Sequence, residues 1–156
     1  FQINKKYMKL LSFAFLLICI FLMMFFNSLN DTHYTSYKTI KSQSQSKALK
    51  ESIKRGNIVY SDFCVSCHLP NGNGVNKIYP PLANSDYLEA NRDASIKGLK
   101  FGLKGKIKVN GVEYDKYMPP MGLSAEEIAD VMNYTNHSWG NTFGKIVTVA
   151  EVSEIK

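Results

Sequence analysis

Cysteine and histidine are scarce in this chain of 156 residues, which contains three of each. A structural zinc site usually needs four such ligands, as two Cys-x-x-Cys pairs or as one pair with two nearby histidines. Here Cys19 lies alone in an apolar run, and His33 and His137 lie far from each other and from the other two cysteines. The composition therefore argues against a structural zinc module.

The other two cysteines form a short motif with a histidine, Cys64-Val65-Ser66-Cys67-His68. A thioredoxin-like dithiol is expected after a buried strand, whereas the residues before this motif have helical periodicity. In covalent c-type haem attachment, both thiols form thioethers with the haem vinyl groups, and the adjacent histidine binds the iron. We therefore predict one covalent haem c as the cofactor, attached through Cys64 and Cys67 and ligated by His68.

Charge is absent from residues 10–26, an unbroken uncharged run that follows Lys5, Lys6 and Lys9. As a helix, this run is about 26 Å long, close to the hydrocarbon thickness of a bilayer. No A-x-A-like cleavage site follows it. We expect residues 1–30 to be an uncleaved single-pass membrane anchor with its lysines inside, in preference to a removed signal peptide or a buried core helix. Cys19 is then a membrane-buried thiol.

The next segment, residues 31–46, is polar and repetitive, and we expect it to be a flexible linker to a domain at 47–156. From residue 47 onward, 14 lysines and arginines face 12 aspartates and glutamates, a surplus of +2. Most of the formal charge of +6 therefore lies outside the domain, which argues against nucleic-acid binding. Five lysines without an intervening acid form either a solvated loop or a docking patch for an acidic partner: Lys97, Lys100, Lys104, Lys106 and Lys108.

Periodic patterns in residues 47–156 predict several elements. Four residues on one helix face lead into the motif, namely Leu49, Ile53, Gly56 and Tyr60. Because glycine costs helix stability, Gly56 indicates a close helix–helix contact. Apolar alternation around Asn110-Gly111 predicts a β-hairpin over 107–114. Two capping-box pairs predict the starts of a helix and of a short C-terminal helix: Ser124 with Glu127, and Thr148 with Glu151.

A second axial ligand would decide what the iron can do. Of the six methionines, Met118 and Met121 flank two prolines, and prolines let a segment run extended along a haem face. The other four belong to the apolar run or its flank and to the capped helix. We predict Met118 as the ligand, with Met121, His137 or no residue as alternatives. With both axial positions filled, one-electron transfer is the expected activity.

In this order along the chain, the motifs resemble a monohaem class I cytochrome c. The resemblance is closest to the cytochromes that accompany bacterial terminal oxidases, quinoprotein dehydrogenases and copper nitrite reductases. It covers residues from about 47 to the end. The residues that carry it are Gly56-x-x-x-Tyr60-x-x-x-Cys64-x-x-Cys67-His68, Tyr79-Pro80-Pro81-Leu82-Ala83, Met118-Pro119, Leu123-Ser124-x-Glu126-Glu127-Ile128-Ala129-Asp130-Val131 and Trp139-Gly140-Asn141.

The resemblance implies an all-α fold around one haem, with a small β-hairpin, in which the helix before the motif crosses the helix after Ser124. Gly56 and Tyr60 should then meet two residues of the second helix, Val131 and Tyr134. It also implies that the Pro80 carbonyl, or that of Pro81, accepts a hydrogen bond from His68. Met118 is favoured over Met121 because the family's ligand is the methionine directly before proline.

The function implied is that of a membrane-tethered electron carrier, not itself an enzyme, on the periplasmic side of a bacterial cytoplasmic membrane. Its donor would be a dehydrogenase or a quinol-oxidising complex, and its acceptor an oxidase or a reductase. Two alternatives remain open. The chain is a fixed subunit of a multi-protein oxidoreductase, or Met118 dissociates so that the iron binds peroxide or a gas. Trp139 is either a redox relay or a packing residue at a helix end.

Overall fold

The computed structural model describes the backbone of residues 5–156; the side chains of residues 5–10, 12 and 27–42 lie outside the description. The side chains of Lys5, Lys6 and Lys9, which are expected to flank the anchor, therefore lie outside the described residues. The chain divides into two compact units, one ending at Ser46 and the other comprising Lys47–Lys156. The assignment of an anchor, a linker and a haem domain to the three sequence segments stays a prediction.

The described residues are mostly helical with one small antiparallel sheet, as the sequence predicts. Helix α1 is followed by the single turn α2, two further helices, a hairpin and two C-terminal helices. Their bounds are α1 Lys5–Phe63, α2 Val65–His68, α3 Asp86–Ala90, α4 Arg92–Phe101, β1 Ile107–Val109, β2 Val112–Tyr114, α5 Ala125–Asn136 and α6 Val149–Glu154.

In the first unit, residues 31–46 are helical as part of α1, where the sequence analysis expects a flexible linker, and their role as a linker stays a prediction. This segment contains neither proline nor glycine, so no residue in it interrupts a helix. The large apolar side chains described between Leu11 and Phe26 are exposed. The expected N-terminal transmembrane helix is not found: within the described residues, no helix combines the length and apolarity needed to cross a membrane.

In the second unit, α1 and α5 cross at Gly56, as the resemblance implies. A Cβ atom on Gly56 would lie 2.0 Å from the Asp130 carbonyl oxygen and 2.8 Å from the Tyr134 Cβ. One turn later, Tyr60 packs with Val131, and its ring centroid lies 5.2 Å from that of Tyr134. Only glycine permits the two helices to approach this closely.

A buried polar network joins the same two helices. The Asp130 side chain, which is 6% exposed, accepts hydrogen bonds from Ser52 Oγ at 2.6 Å and from Arg55 Nε at 2.6 Å. Asn133 Nδ2 donates to Ser52 Oγ at 2.8 Å and to the Val147 carbonyl at 2.9 Å. Arg55 is exposed, whereas the other three residues of the network are buried, and each of them has a hydrogen-bond partner that offsets its loss of hydration. The network therefore fixes the register of the two helices.

The predicted hairpin is confirmed. Asn110 and Gly111 form its turn with φ angles of +50° and +81°, the left-handed conformation that this residue pair favours. The turn is held against α3, because Asn110 N donates to Asp86 Oδ1 at 2.7 Å and Asp86 N donates to Asn110 Oδ1 at 3.1 Å. The hairpin turn is therefore fixed to α3 by two hydrogen bonds.

Both predicted capping boxes are present, at Ser124 with Glu127 and at Thr148 with Glu151. Glu151 also pairs with Arg92 of α4, whose Nη2 lies 2.9 Å from Glu151 Oε2, and this cation lowers the pKa of the carboxyl. Lys100 Nζ donates to the Val152 carbonyl at 3.2 Å and to the Ile155 carbonyl at 2.8 Å. Side chains of α4 thus hold α6 at both of its ends.

The lysine run is not a solvated loop throughout, because its first two members lie on α4. Lys100 caps the end of α6, and Lys106 pairs with Glu113 across the hairpin at 2.8 Å. Two of the five lysines therefore make structural contacts. Whether the run docks an acidic partner stays a prediction.

Replacing Gly56 with alanine should lower the free energy of unfolding by about 3 kcal/mol, because the new methyl group would force α1 and α5 apart. The measurement is urea unfolding followed by circular dichroism. The exposed neighbour Asn57 provides the matched control, and Asn57→Ala should change stability by less than about 0.5 kcal/mol. Equal stability of the two variants would contradict the close contact at Gly56.

Candidate functional site

The second unit contains a cavity of about 330 Å³, which is in the range that accommodates small-molecule ligands. Six residues predicted from the sequence as attachment points, ligands or their alternatives line this one cavity: Cys64, Cys67, His68, Pro80, Met118 and Met121. His137, the remaining alternative ligand, does not line it. Instead, His137 Nδ1 donates to the Asn133 carbonyl at 2.9 Å at the end of α5.

The two cysteines are brought to the cavity by a single helical turn at the end of α1. Cys64 N donates to the Tyr60 carbonyl at 2.9 Å, and His68 N donates to the Cys64 carbonyl at 2.9 Å. Leu69 ends the turn with a φ of +64°. The turn therefore places both thiols and the imidazole along the wall of the same cavity.

Cys64 and Cys67 form no disulfide bond. Burial raises the pKa of Cys64 to about 11, and the neighbouring Cys67 adds to this effect. The Cys64 thiol is therefore neutral near pH 7, as expected for a buried thiol in apolar surroundings. Among the residues that the structure describes, no group of three or more His, Cys, Asp and Glu side chains could hold a metal ion.

The His68 ring has a fixed orientation. Its Nδ1 lies 2.9 Å from the Pro80 carbonyl oxygen, and because a carbonyl only accepts, Nδ1 carries the proton. Nε2 is then the nitrogen with a free lone pair. Burial lowers the pKa of His68, which favours the neutral form that binds metals. Of the two prolines considered from the sequence, Pro80 is the one whose carbonyl makes this contact.

The loop that carries Pro80 is held by backbone hydrogen bonds. Gly74 N donates to the His68 carbonyl at 3.0 Å, and Leu82 N donates to the Gly72 carbonyl at 2.7 Å. Asn141 Nδ2 donates to the Leu82 carbonyl at 2.9 Å, and Asn141 Oδ1 accepts from Asn84 N at 2.8 Å. The orientation of His68 therefore depends on a side chain that lies beyond α5.

Trp139 packs against the start of this loop, at Pro70 and Gly72. Its Nε1 donates to the Pro70 carbonyl at 3.0 Å, and its ring centroid lies 5.1 Å from that of Tyr60. Gly72 has a φ of +67°, and a Cβ there would lie 2.6 Å from the indole ring. These contacts give Trp139 the packing role that the sequence analysis considered, next to the motif.

Met118 is positioned by a short backbone bridge. Met118 N donates to the Leu103 carbonyl at 3.0 Å, and Leu103 N donates to the Met118 carbonyl at 2.8 Å. The bridge fixes the backbone at Met118. The Met118 Cε lies 3.7 Å from the position of a Cβ on Gly98, so this methionine packs against α4. Met121 lines the same cavity, and the choice between the two sulfur atoms stays a prediction.

The residues of the cavity suit a haem. Most of the wall is apolar, as a flat macrocycle requires, and two thiols, an imidazole and two thioether sulfur atoms open into one space. Haem can thus be held by covalent bonds from the two cysteines and by nitrogen and sulfur donors, the ligand types that haem iron takes in proteins. The donor set does not match the four-ligand requirement of structural zinc.

Comparisons with known proteins identify the family of this chain. A family model described as cytochrome c matches residues 53–139. Cytochrome c-552 of Thermus thermophilus is 39% identical over 83 residues, which are 50% of this chain and 63% of that protein. The chain therefore covers less than two thirds of this relative. The cytochrome c domain implies that the cofactor is covalent haem c.

Other relatives are larger proteins. The cytochrome c subunit of the quinone alcohol dehydrogenase of Gluconacetobacter polyoxogenes is 29% identical over 111 residues, which are 62% of this chain and 21% of that subunit. The corresponding subunit of Gluconobacter oxydans is 26% identical over 129 residues, 72% of this chain and 24% of the subunit. The likeness to these subunits thus covers a small part of their length.

Sequence reasoning missed two features of the site. Asn141 was noted only as part of a motif, although its amide holds the loop that carries Pro80. Lys116 was not noted at all, although it lines the cavity. Its position two residues before the predicted ligand, next to the hairpin, was the available signal.

Replacing both Cys64 and Cys67 with alanine should abolish covalent haem, because no other described thiol lines the cavity. The measurement is haem staining of the protein on a denaturing gel after expression in a host that attaches c-type haem. Cys19→Ala is the matched control and should stain like the unaltered chain. Staining of the double variant, or loss of staining in the control, would contradict the assignment of the thiols.

Proposed function

Because this chain belongs to the cytochrome c family, we propose that it is a one-electron carrier whose haem iron is ligated by His68 and Met118. The observation that carries the proposal is the convergence of both thiols, the imidazole and a backbone-fixed methionine on one largely apolar cavity. When bound, the haem supplies an iron couple that gains and loses a single electron. The chain's own residues determine how that couple behaves.

His68 contributes a fixed, neutral nitrogen donor. Its hydrogen bond to the Pro80 carbonyl selects the tautomer that leaves Nε2 available, and such a partner also makes a histidine ligand more basic. Burial keeps the ring neutral by lowering its pKa. A ligand oriented in this way needs little rearrangement when the charge on the metal changes, which favours electron transfer.

Met118 contributes the softer donor. Its two backbone hydrogen bonds with Leu103 and the following prolines limit the movement of the segment. Thioether ligation raises the reduction potential, and a retained sulfur ligand leaves no position for water, peroxide or a gas. This argues for an electron carrier over the alternative in which Met118 dissociates.

The partners are proposed from the relatives. In the first arrangement, the chain is a free carrier that diffuses between a donor and an acceptor. The donor is a dehydrogenase or a quinol-oxidising complex, and the acceptor is an oxidase or a reductase. In the second arrangement, the chain is a fixed subunit of an oxidoreductase, which is favoured by the likeness to subunits of quinone alcohol dehydrogenases. Co-purification with other chains after gentle detergent extraction distinguishes the fixed subunit from the free carrier.

We further propose that residues 10–26 hold the chain at the outer face of a bacterial cytoplasmic membrane. The support is the uncharged run behind three lysines, together with the exposure of its described large apolar side chains, a surface that needs cover from water. Covalent attachment of haem outside the cytoplasm agrees with this location.

Met118→Ala should lower the reduction potential and open the iron to added ligands, because the sulfur that favours reduced iron is lost. The measurements are a redox titration and the visible spectrum of the reduced protein under carbon monoxide. Met121→Ala is the matched control, since it removes another cavity-lining thioether. The potential of Met121→Ala should differ from that of the unaltered protein by less than about 59 mV, which is a tenfold change in a one-electron equilibrium. This variant should not bind carbon monoxide. The reverse pattern would assign the ligand to Met121.

Replacement of residues 1–30 by a cleavable export signal should release the haem protein into the soluble periplasmic fraction, because the apolar run is lost while export is kept. Haem staining of membrane and soluble fractions makes the measurement, with the full chain as control. A full chain that is already soluble before any deletion would overturn the proposed anchor and would leave the electron-transfer proposal untouched.

A further inference from the structure

Lys116 is the only charged side chain in the wall of the haem cavity, among the residues that the structure describes. It is also exposed. A lysine with both properties lies at the mouth of the cavity, where its stem covers apolar surface and its ammonium group reaches water. No described aspartate or glutamate lines the cavity to neutralise this charge.

The chain direction after β2 explains this placement. Tyr114 and Lys116 both line the cavity, whereas Asp115 between them does not. Asp115 follows β2 directly, and in an extended segment successive side chains point to opposite sides, so the acidic neighbour is directed away from the wall. Tyr117 also lines the cavity, so this alternation ends at Lys116. Two residues further along, Met118 is fixed by its bridge to Leu103, which limits how far Lys116 can move.

Haem brings two carboxylates with it, and these are the anionic groups that the cavity must accommodate. An ionised carboxylate at the edge of an apolar wall loses hydration unless a donor or a cation compensates for it. Among the described residues, the lining offers tyrosine and serine hydroxyls but a single cation, Lys116. A hydrogen-bonded pair between an ammonium group and a carboxylate is stronger than a pair of neutral groups.

We propose that Lys116 binds a haem carboxylate at the mouth of the cavity and thereby raises the reduction potential of the iron. The inference rests on the proposed one-electron function and adds to it a residue that tunes the potential without contacting the iron. A positive charge beside the haem disfavours the more positive oxidised state, so it stabilises the reduced protein. Lys116 thus acts on the iron indirectly, through the carboxylate that it binds and through its charge.

The test compares three variants of the full haem-loaded protein. Lys116→Gln removes the charge, and Lys116→Arg retains it. Lys108→Gln removes the same charge from β1, where Ile107 and Val109 line the cavity but Lys108 does not. Redox titration gives the potential, and resonance Raman spectroscopy gives the bending band of the haem carboxylates, which reports their hydrogen bonds.

In Lys116→Gln, we expect the equilibrium with a reference one-electron couple to shift by about threefold toward the oxidised protein. The carboxylate band should move, and Lys116→Arg should restore both values. In Lys108→Gln, the equilibrium should change by less than about 1.5-fold, because an exposed charge away from the cavity is screened.

Two results would overturn the inference alone, with the c-type spectrum intact in every variant. One is an equal potential shift in Lys116→Gln and Lys108→Gln. The other is an unchanged carboxylate band in Lys116→Gln, which would show that the ammonium group makes no charge-assisted hydrogen bond to the carboxylate, since a neutral amide donor would give a weaker one. Absence of a c-type spectrum from the unaltered protein would overturn the proposed function and this inference together.

Discussion

The contact between α1 and α5 at Gly56 determines where the haem-binding motif lies. Because this residue has no side chain, the backbone of Asp130 packs directly against α1. Ser52 and Arg55, which lie one turn before Gly56 and next to it, then reach the Asp130 carboxylate. The same helix ends at Phe63, so the position and direction of its last turn fix the site of Cys64.

Two walls of the cavity carry the predicted ligands and differ in origin, while residues of α3, α4 and α5 line the rest. One wall comes from the motif and from the loop that carries Pro80, and it is held by backbone hydrogen bonds and by the amide of Asn141. The other comes from the hairpin and from the segment around Met118, which are attached to α3 and to Leu103. A nitrogen donor and a sulfur donor thus reach one space from parts of the chain that can be altered independently.

The elements with a strong local signal could be predicted from the sequence. The Asn110-Gly111 turn and the two capping boxes each depend on residues within a few positions of one another, and all three are confirmed. The Cys-x-x-Cys-His spacing likewise identified haem c, which the cytochrome c family match supports. The contact between His68 and Pro80 came from the family resemblance, not from the residues alone.

Features that depend on distant residues could not be predicted in this way. Asn141 holds the loop at Leu82 across 59 positions, and nothing in the local pattern of either residue indicates the partner. An exposed lysine is common in any sequence, so no local pattern distinguishes Lys116. Its importance follows only from its position in the cavity wall, which depends on the fold. The coil expected over 31–46 was inferred from polarity, which does not by itself prevent a helix.

The distance along the chain between the partners of the polar network has a consequence for biosynthesis. Ser52 and Asp130 are 78 residues apart, and Cys64 shares its apolar cluster with Val131. A polypeptide made from its N-terminus therefore emerges with both thiols long before the helix that covers them. Until α5 packs against α1, Val131 does not cover Cys64, and in that open state the thiol can react with haem.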